Sequence, residues 1–415
     1  MTVQCNNICK KLQEKCNLHI IWIMFPPEKV TNSKRVSYQI VDSRNYKNAV
    51  KILEEINPDL VLVNGTIDFQ NIEIAMASKF KKIPAVVIFF RNFESAKSVS
   101  VFKTLKSRLR GMFSAKVIEV HSNTINVSRT NLMNFFFEQY CYLFKTLQAL
   151  NFSTFQKISF IFSYTMKGLL NYAPIVKQIR GDVNLCSTSK WRNELIKSGF
   201  QKSSIFIVGD PFFDKLYNEI HSYKPKHQST NKKTKVLFCT TTMHGHGLCS
   251  KTEEYELIIN TAKEILNHQE FELAIKMHPS SASRAEYEEL ILKKLPVKVK
   301  LYQKEDLVEL INQNDVLVSY GGSGAILNGV ILGKPIVNLN FNTDATINNI
   351  WIDDNIITQC KELNSLSSDI KKTKNKTILK EDSQRFIEKF IGIFDGKSSE
   401  RAADKILQFL EKKDI

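Results

Sequence analysis

Short, unbroken apolar runs alternate along this chain with longer stretches in which apolar residues recur every three or four positions. The runs at 18–25 (LHIIWIMF), 59–65 (DLVLVNG) and 84–90 (PAVVIFF) have the length of strands and lack the alternation of a one-sided sheet. Such runs belong in a parallel sheet whose two faces are covered by helices. Helical patterns at 45–56 and 71–80 fall between them, so strand and helix alternate. The pattern changes over 91–180. A basic segment with Lys103, Lys106, Arg108 and Arg110 leads to a short strand at 116–120. Eleven Phe or Tyr residues then fall between Phe135 and Tyr164. Glu138, Lys145 and Lys157 interrupt this region, so no apolar run approaches the roughly 18 residues needed to span a bilayer. Two readings fit it: a pair of core helices, or an amphipathic surface lying on an anionic membrane.

Regular alternation resumes at Val183. VNLCSTS is a strand, 190–198 a helix, and SIFIVGDPFFDKL closes a first domain at about residue 221. The polar, basic stretch 222–235 reads as a linker. A second domain, 236–381, opens with KVLFCTT. It continues through helix 253–266, strand 271–279, helix 285–293, strand 297–301 and helix 306–312. Its most informative segment is DVLVSYGGSGAILNGVILGKPIVNLNF, residues 315–341. This reads as strand 316–318, a glycine-rich turn, helix 325–332 and strand 335–340. Residues 382–415 read as terminal helices, with Phe386, Phe390 and Ile393 at helical spacing.

A chain of 415 residues accommodates two ordinary domains. Its net charge of +16 calls for an anionic partner. Phosphorylated metabolites and lipid headgroups fit better than nucleic acid, for which no binding-module signature is present. The eight cysteines have neither zinc-like spacing nor a disulfide framework, which fits a reduced, cytoplasmic compartment. The N-terminal residues contain no apolar signal core, so the sequons at Asn64, Asn126, Asn151 and Asn375 are expected to be unused.

The glycine turn supplies backbone N–H groups at a helix N-terminus, where the macrodipole favours an anion. Gly322, Ser323 and Gly324 are therefore candidate phosphate ligands, although the same turn would also serve as a plain strand-to-helix connection. His278, held by Pro279 at a strand end, is a second candidate. Thr241, Thr242, His244 and His246 come from another strand end. The two histidines lack an evident third metal ligand, so no metal is expected.

Four segments in this order resemble the two-domain GT-B glycosyltransferases and their relatives. IVGDPFFDKL resembles the segment that closes their first domain. FCTTTMHGHG stands at the first strand–loop of the second domain. KMHPSS resembles their His-Pro motif, and YGGSGAILNGVILGKPIV their donor-phosphate loop and the strand after it. The resemblance is specific over 183–345 and covers the first 180 residues only by general pattern. It implies two Rossmann-like domains facing across a cleft, with the second binding a nucleotide-activated donor. The nearest motifs are those of CDP-glycerol glycerophosphotransferases and surface-polysaccharide transferases. UDP-N-acetylglucosamine 2-epimerases are relatives. In these families the general base comes from the first domain. His121 and Glu94, each near a strand end, are the candidates here, although neither matches the usual His-Gly pattern. The epimerases place acidic residues after the glycine turn, where this chain has Ile326, Leu327 and Asn328.

The expectation is therefore a metal-independent transferase without a resident cofactor. It would move a sugar or glycerol-phosphate from a nucleotide sugar or CDP-glycerol to a glycan or polyprenyl-phosphate-linked acceptor. It would work in the cytoplasm, peripheral to the inner membrane face. The alternatives are a UDP-N-acetylglucosamine 2-epimerase-like isomerase, or a non-catalytic nucleotide-binding protein of surface-glycan assembly.

Overall fold

A computed structural model describes residues 3–24, 38–65, 69–90, 117–120, 123–126, 129–169, 177–222, 233–243, 249–279, 284–320, 323–340, 355–376 and 379–412. The chain divides into two compact units. The first comprises Met1–Ser95, Phe113–Glu219 and Glu388–Ile415, and the second Ala96–Met112 and Ile220–Ile387.

The first unit contains the strands β1 (Ile20–Met24), β2 (Tyr38–Asp42), β3 (Val61–Asn64), β4 (Ala85–Phe89), β5 (Val117–Val120), β6 (Asn123–Asn126), β7 (Val183–Cys186) and β8 (Ile205–Ile207). Four of them form a parallel sheet in the order β3-β4-β7-β8. β1 pairs in parallel with β2, a strand the sequence pattern did not reveal, and β5 and β6 form an antiparallel pair. The four-stranded sheet is apolar on both faces, as its continuous runs predict. Val87, Phe89, Cys186 and Ile205 pack with residues of helices Ala49–Ile56, Phe69–Phe80 and Ser189–Lys197. Val86, Ile88, Val183 and Leu185 pack with Cys5, Ile8 and Leu12 of helix Val3–Gln13 and with Ala402, Ala403 and Ile406 of helix Ser398–Glu411. The two ends of the chain thus meet on one sheet face.

The GDPFFD segment accounts for that meeting. Asp210 caps the turn Pro211–Phe213 by accepting from the Phe212 N–H at 2.9 Å. Asp214 accepts from the Ser398 and Ser399 N–H groups, at 2.9 and 2.7 Å, at the head of the last helix. Gly209 has φ +82, and a Cβ there would lie 2.4 Å from Ser398 Oγ. Only glycine combines that conformation with that approach. Gly392, at φ +85, ends the apolar series begun by Phe386 and Phe390. Helix Lys380–Phe390 therefore stops before Ile393, which the spacing alone would have included.

The aromatic region folds as two helices, Arg129–Ala149 and Thr154–Leu169. Tyr142, Leu143, Thr146, Leu147 and Tyr164 are buried, while Phe137, Phe155 and Phe162 are exposed. Among the described residues no helix is long and apolar enough to cross a membrane. The basic cluster Lys103, Lys106, Arg108 and Arg110 lies outside the described residues.

The second unit contains β9 (Thr234–Cys239), β10 (Phe271–Lys276), β11 (Lys300–Tyr302), β12 (Val316–Tyr320), β13 (Ile336–Leu339) and β14 (Ile357–Cys360). All six are parallel, in the order β11-β10-β9-β12-β13-β14. Read along the chain this is 3-2-1-4-5-6, the order of a dinucleotide-binding doubly wound sheet. One apolar cluster joins Val236, Phe238, Ile275, Val316, Val318 and Val337 to helices Lys251–Leu266 and Leu366–Lys374 through Ile258, Ala262, Leu366 and Ile370. Gly329 lets helix Gly324–Ile331 close on the sheet. A Cβ there would fall 2.7 Å from Leu317 and 3.0 Å from Ile336 side-chain atoms.

Candidate functional site

In a parallel doubly wound sheet, ligands bind outside the carboxyl ends of the strands where the strand order reverses. In the second unit that point lies between β9 and β12. β9 runs out into Thr240, Thr241, Thr242 and Met243. β12 runs out into the glycine turn that ends at Ser323 and Gly324. The neighbouring strand β10 delivers Met277 and His278 to the same edge. Three segments far apart in sequence therefore come together because three adjacent strands end there.

Local hydrogen bonds fix this edge. The Thr240 N–H donates to the Lys276 carbonyl at 2.9 Å, carrying the β9–β10 ladder one residue past the strands. Thr240 is buried, and its Oγ1 accepts twice: from the His278 N–H at 3.3 Å and from the Tyr287 hydroxyl at 3.1 Å. Tyr287 is fully buried in helix Arg284–Leu290. The His278 backbone is thus tied to β9 by a side chain whose hydroxyl is itself held from below. Thr240 and Tyr287 are positioning groups absent from the sequence-based site. The run of three threonines was a signal for the first of them. Tyr287 carried none, since its role depends on the packing of its helix.

Lys276 is buried at the end of β10 and donates to the Gln303 carbonyl at 2.5 Å. Burial lowers its pKa from the usual lysine value. Tyr320, which begins the glycine motif, points into the core. Its hydroxyl meets Thr261 Oγ1 at 2.9 Å and its ring meets Phe238 edge-on. The turn therefore hangs on an anchored aromatic residue.

Ser323 is the N-cap of helix Gly324–Ile331, and its Oγ accepts from the Ala325 N–H at 3.3 Å. Capping of this kind satisfies one of the amides that a helix start leaves without an intrahelical acceptor. The Gly324 amide stands at the positive end of the helix dipole. A Cβ at Gly324 would meet nothing within 4 Å among the described residues. His278 and Ser323 are half-buried, Thr241 is half-buried, and Thr242 is buried. This is an edge of hydroxyls, amides and an imidazole, chemistry that suits a phosphate-bearing ligand.

Lys334 of the GKP motif belongs elsewhere. It sits at the opposite end of the sheet, just before β13. Its Nζ donates to the Asn312 and Asn314 carbonyls, both at 3.1 Å, at the end of helix Leu307–Gln313. Burial lowers its pKa as well. This lysine caps a helix rather than facing the ligand edge. Ile326 and Leu327, which stand where the epimerases carry acidic residues, are buried in the helix base, and Asn328 is half-buried.

Five of the sequence-predicted residues, Thr241, Thr242, His278, Ser323 and Gly324, lie along this one edge. His244, His246 and Gly322 lie outside the described residues, as do the candidate bases His121 and Glu94.

Solved structures of similar fold extend over nearly the whole chain. MnaA of S. aureus, in a co-structure with UDP, is 13% identical, with a TM-score of 0.52 over 99% of this chain and 93% of that one. UDP-GlcNAc 2-epimerase of Methanocaldococcus jannaschii is 14% identical, with a TM-score of 0.51 over 98% and 96%. CalG4, the calicheamicin glycosyltransferase, is 13% identical, with a TM-score of 0.53 over 99% and 94%. At these identities the likeness establishes the fold, which is of the GT-B kind. No curated protein sequence matches the chain significantly. The family profile described as UDP-N-acetylglucosamine 2-epimerase matches residues 176–407, more than half of the chain and all of the six-stranded sheet with its ligand edge. The chain therefore belongs to the UDP-N-acetylglucosamine 2-epimerase family.

Proposed function

We propose that the protein is a nucleotide-sugar enzyme that inverts C2 of a UDP-N-acetylhexosamine. The nucleotide would sit at the carboxyl edge of β9, β10 and β12. The observation that carries this reading is the coincidence of the family match with the switch-point edge: residues 176–407 contain every strand that delivers Thr241, Thr242, His278, Ser323 and Gly324. In this reading the diphosphate lies over the Ser323–Gly324 turn, where the helix dipole and amides meet its charge. His278 and the threonines of the β9 loop face the same group. Such preorganised donors stabilise charge that builds on a departing diphosphate. The nucleotide sugar is the substrate, and the reaction invokes no resident cofactor. The proton carrier at C2 is assigned to the first unit, with His121 and Glu94 as its candidates.

A second reading, transfer of the activated group to a glycan acceptor, is favoured by one observation. The positions of the epimerase acids are filled by Ile326, Leu327 and Asn328, two of them buried. A cytidine-based donor such as CDP-glycerol belongs to this second reading.

Incubating UDP-N-acetylglucosamine with the protein in D2O and following C2 by proton NMR separates the two. Inversion requires the C2–H bond to break, so deuterium enters at C2 as the manno epimer forms. Release of UDP only when an acceptor is supplied, with no exchange at C2, would replace the first reading by the second.

A further inference from the structure

The register of the six-stranded sheet lines up a row of polar side chains. Lys276 of β10 stands beside Cys239 of β9, and Cys239 beside Ser319 of β12. Ser319 stands beside Asn338 of β13, and Asn338 beside Gln359 of β14. Neighbours in register project from the same face of a sheet. The first four are buried and Gln359 is half-buried. Two residues earlier the same face carries Ala274, Leu237, Leu317, Ile336 and Ile357, all apolar and buried. The opposite face packs in the apolar core as far as Met277, Tyr320 and Leu339. Polar side chains thus gather on one face and at one end of this doubly covered sheet, the end where such sheets take ligands.

Most of the row is bonded close to home. Ser319 Oγ donates to the Cys239 carbonyl at 3.0 Å, and Asn338 Nδ2 to Gln359 Oε1 at 3.0 Å. Such bonds offset the cost of burying polar groups. Two residues further on stand His278, Thr241 and Asn340, all half-buried. The first two are already ligand candidates, and Asn340 is their counterpart on β13. Its N–H donates to the Cys360 carbonyl at 2.8 Å, so the β13–β14 ladder runs through it and its side chain projects on the Asn338 face. Its carboxamide has no hydrogen-bond partner among the described residues. Asparagine is depleted in strands, and two at alternate positions of one buried strand need a cause other than packing.

Helix Gly324–Ile331 lies over this face and runs back antiparallel to the strands. Gly329 closes on Leu317 and Ile336, the row below Ser319 and Asn338. A helix rises about 1.5 Å per residue, so Gly324 stands about 7.5 Å nearer the carboxyl edge than Gly329. A strand advances about 3.3 Å per residue, which places Asn338 about 6.6 Å and Asn340 about 13 Å beyond Ile336. The helix therefore begins near the level of Asn338, and Asn340 reaches past its first amides.

On the reading that this edge holds a nucleotide, we propose that Asn340 is a further ligand residue, its carboxamide donating to the diphosphate in front of the Ser323–Gly324 turn.

Titration calorimetry of the full-length protein with UDP and with CDP tests this. N340A should weaken whichever nucleotide the wild type binds by about two- to tenfold, the loss of one hydrogen bond. N340D sets a carboxylate against the diphosphate. It should weaken binding by at least about tenfold, and the loss should shrink as salt screens the repulsion. Both variants keep the ladder N–H and should melt with the wild type; if N340D is unstable, N340A carries the test. Wild-type affinity in either folded variant overturns the assignment of Asn340 and leaves the nucleotide reading in place. A wild type that binds neither UDP nor CDP overturns that reading, and the role of Asn340 with it.

Discussion

The two sheets are built from the same strand–loop–helix units, yet they differ in where a ligand fits. In the second unit the order reverses between β9 and β12, the place at the carboxyl edge where sheets of this kind take their ligands. In the first unit the described sheet runs β3-β4-β7-β8 in chain order and reverses nowhere along it. Its conspicuous polar motif, GDPFFD, is spent on fixing the returning C-terminal helix. Polar residues after a strand thus have two uses, to meet a ligand or to tie the chain down. Strand order separates them where residue type does not.

The comparison is broken most severely at Gly392. A Cβ there would lie 2.2 Å from the Ser187 carbonyl oxygen, and φ is +85. Overpacking and a left-handed backbone each cost about 1–3 kcal/mol. Gly392→Ala should destabilise the first unit by about 3 kcal/mol, seen as a lower denaturant midpoint. Nucleotide binding by the second unit should survive in whatever fraction remains folded. Equal loss in both would show that the units do not behave separately.

Asp210 gives the first unit a pH dependence in the weakly acidic range. Burial, with Asp214 adding to it, pushes its carboxyl up to about 7. The unfolded chain releases the same proton near the ordinary value of about 3.9. Between about pH 4 and 7 the folded state therefore holds an extra proton. Stability falls by about 1.4 kcal/mol per pH unit as pH rises through that window, and levels above it. Asp210→Asn keeps the acceptor for the Phe212 N–H and should flatten this slope. An unchanged slope would assign it to another group.

Smaller effects are expected at the ligand edge. Ser323→Ala removes the N-cap, at about 1 kcal/mol of stability, and should weaken nucleotide binding by about 0.5–3 kcal/mol. Tyr287→Phe removes the bond that holds Thr240, at about 1 kcal/mol. Calorimetry should show reduced nucleotide affinity in both, and unchanged affinity in Tyr287→Phe would make that tyrosine purely structural.

Much of the second unit was legible because its strands are apolar on both faces and end in distinctive turns. β9, β10, β12 and β13 follow directly from their runs. β14 was not found, since Ile357–Cys360 is short, lies at the sheet edge and carries Thr358 and Gln359 at half-buried positions. Helix Leu366–Lys374 was missed because Leu366 and Ile370 are its only buried apolar residues in a polar segment. Within the site, Ser323, His278 and the threonines were visible as residue types at strand ends. What the sequence did not carry was the link from Tyr287 through Thr240 to His278. That link depends on how a distant helix packs, and no local pattern encodes it. The role of Lys334 was hidden for the same reason: its motif is conspicuous, but its partners are carbonyls some twenty residues earlier.

The central claim is that the β9–β10–β12 edge holds the nucleotide. Amide hydrogen exchange with and without saturating UDP tests it most directly. Slowed exchange is predicted at residues 240–243, 277–279 and 323–327, with none in the aromatic helix at 154–169. Saturation by UDP without slowed exchange at any of those three edge segments would contradict it.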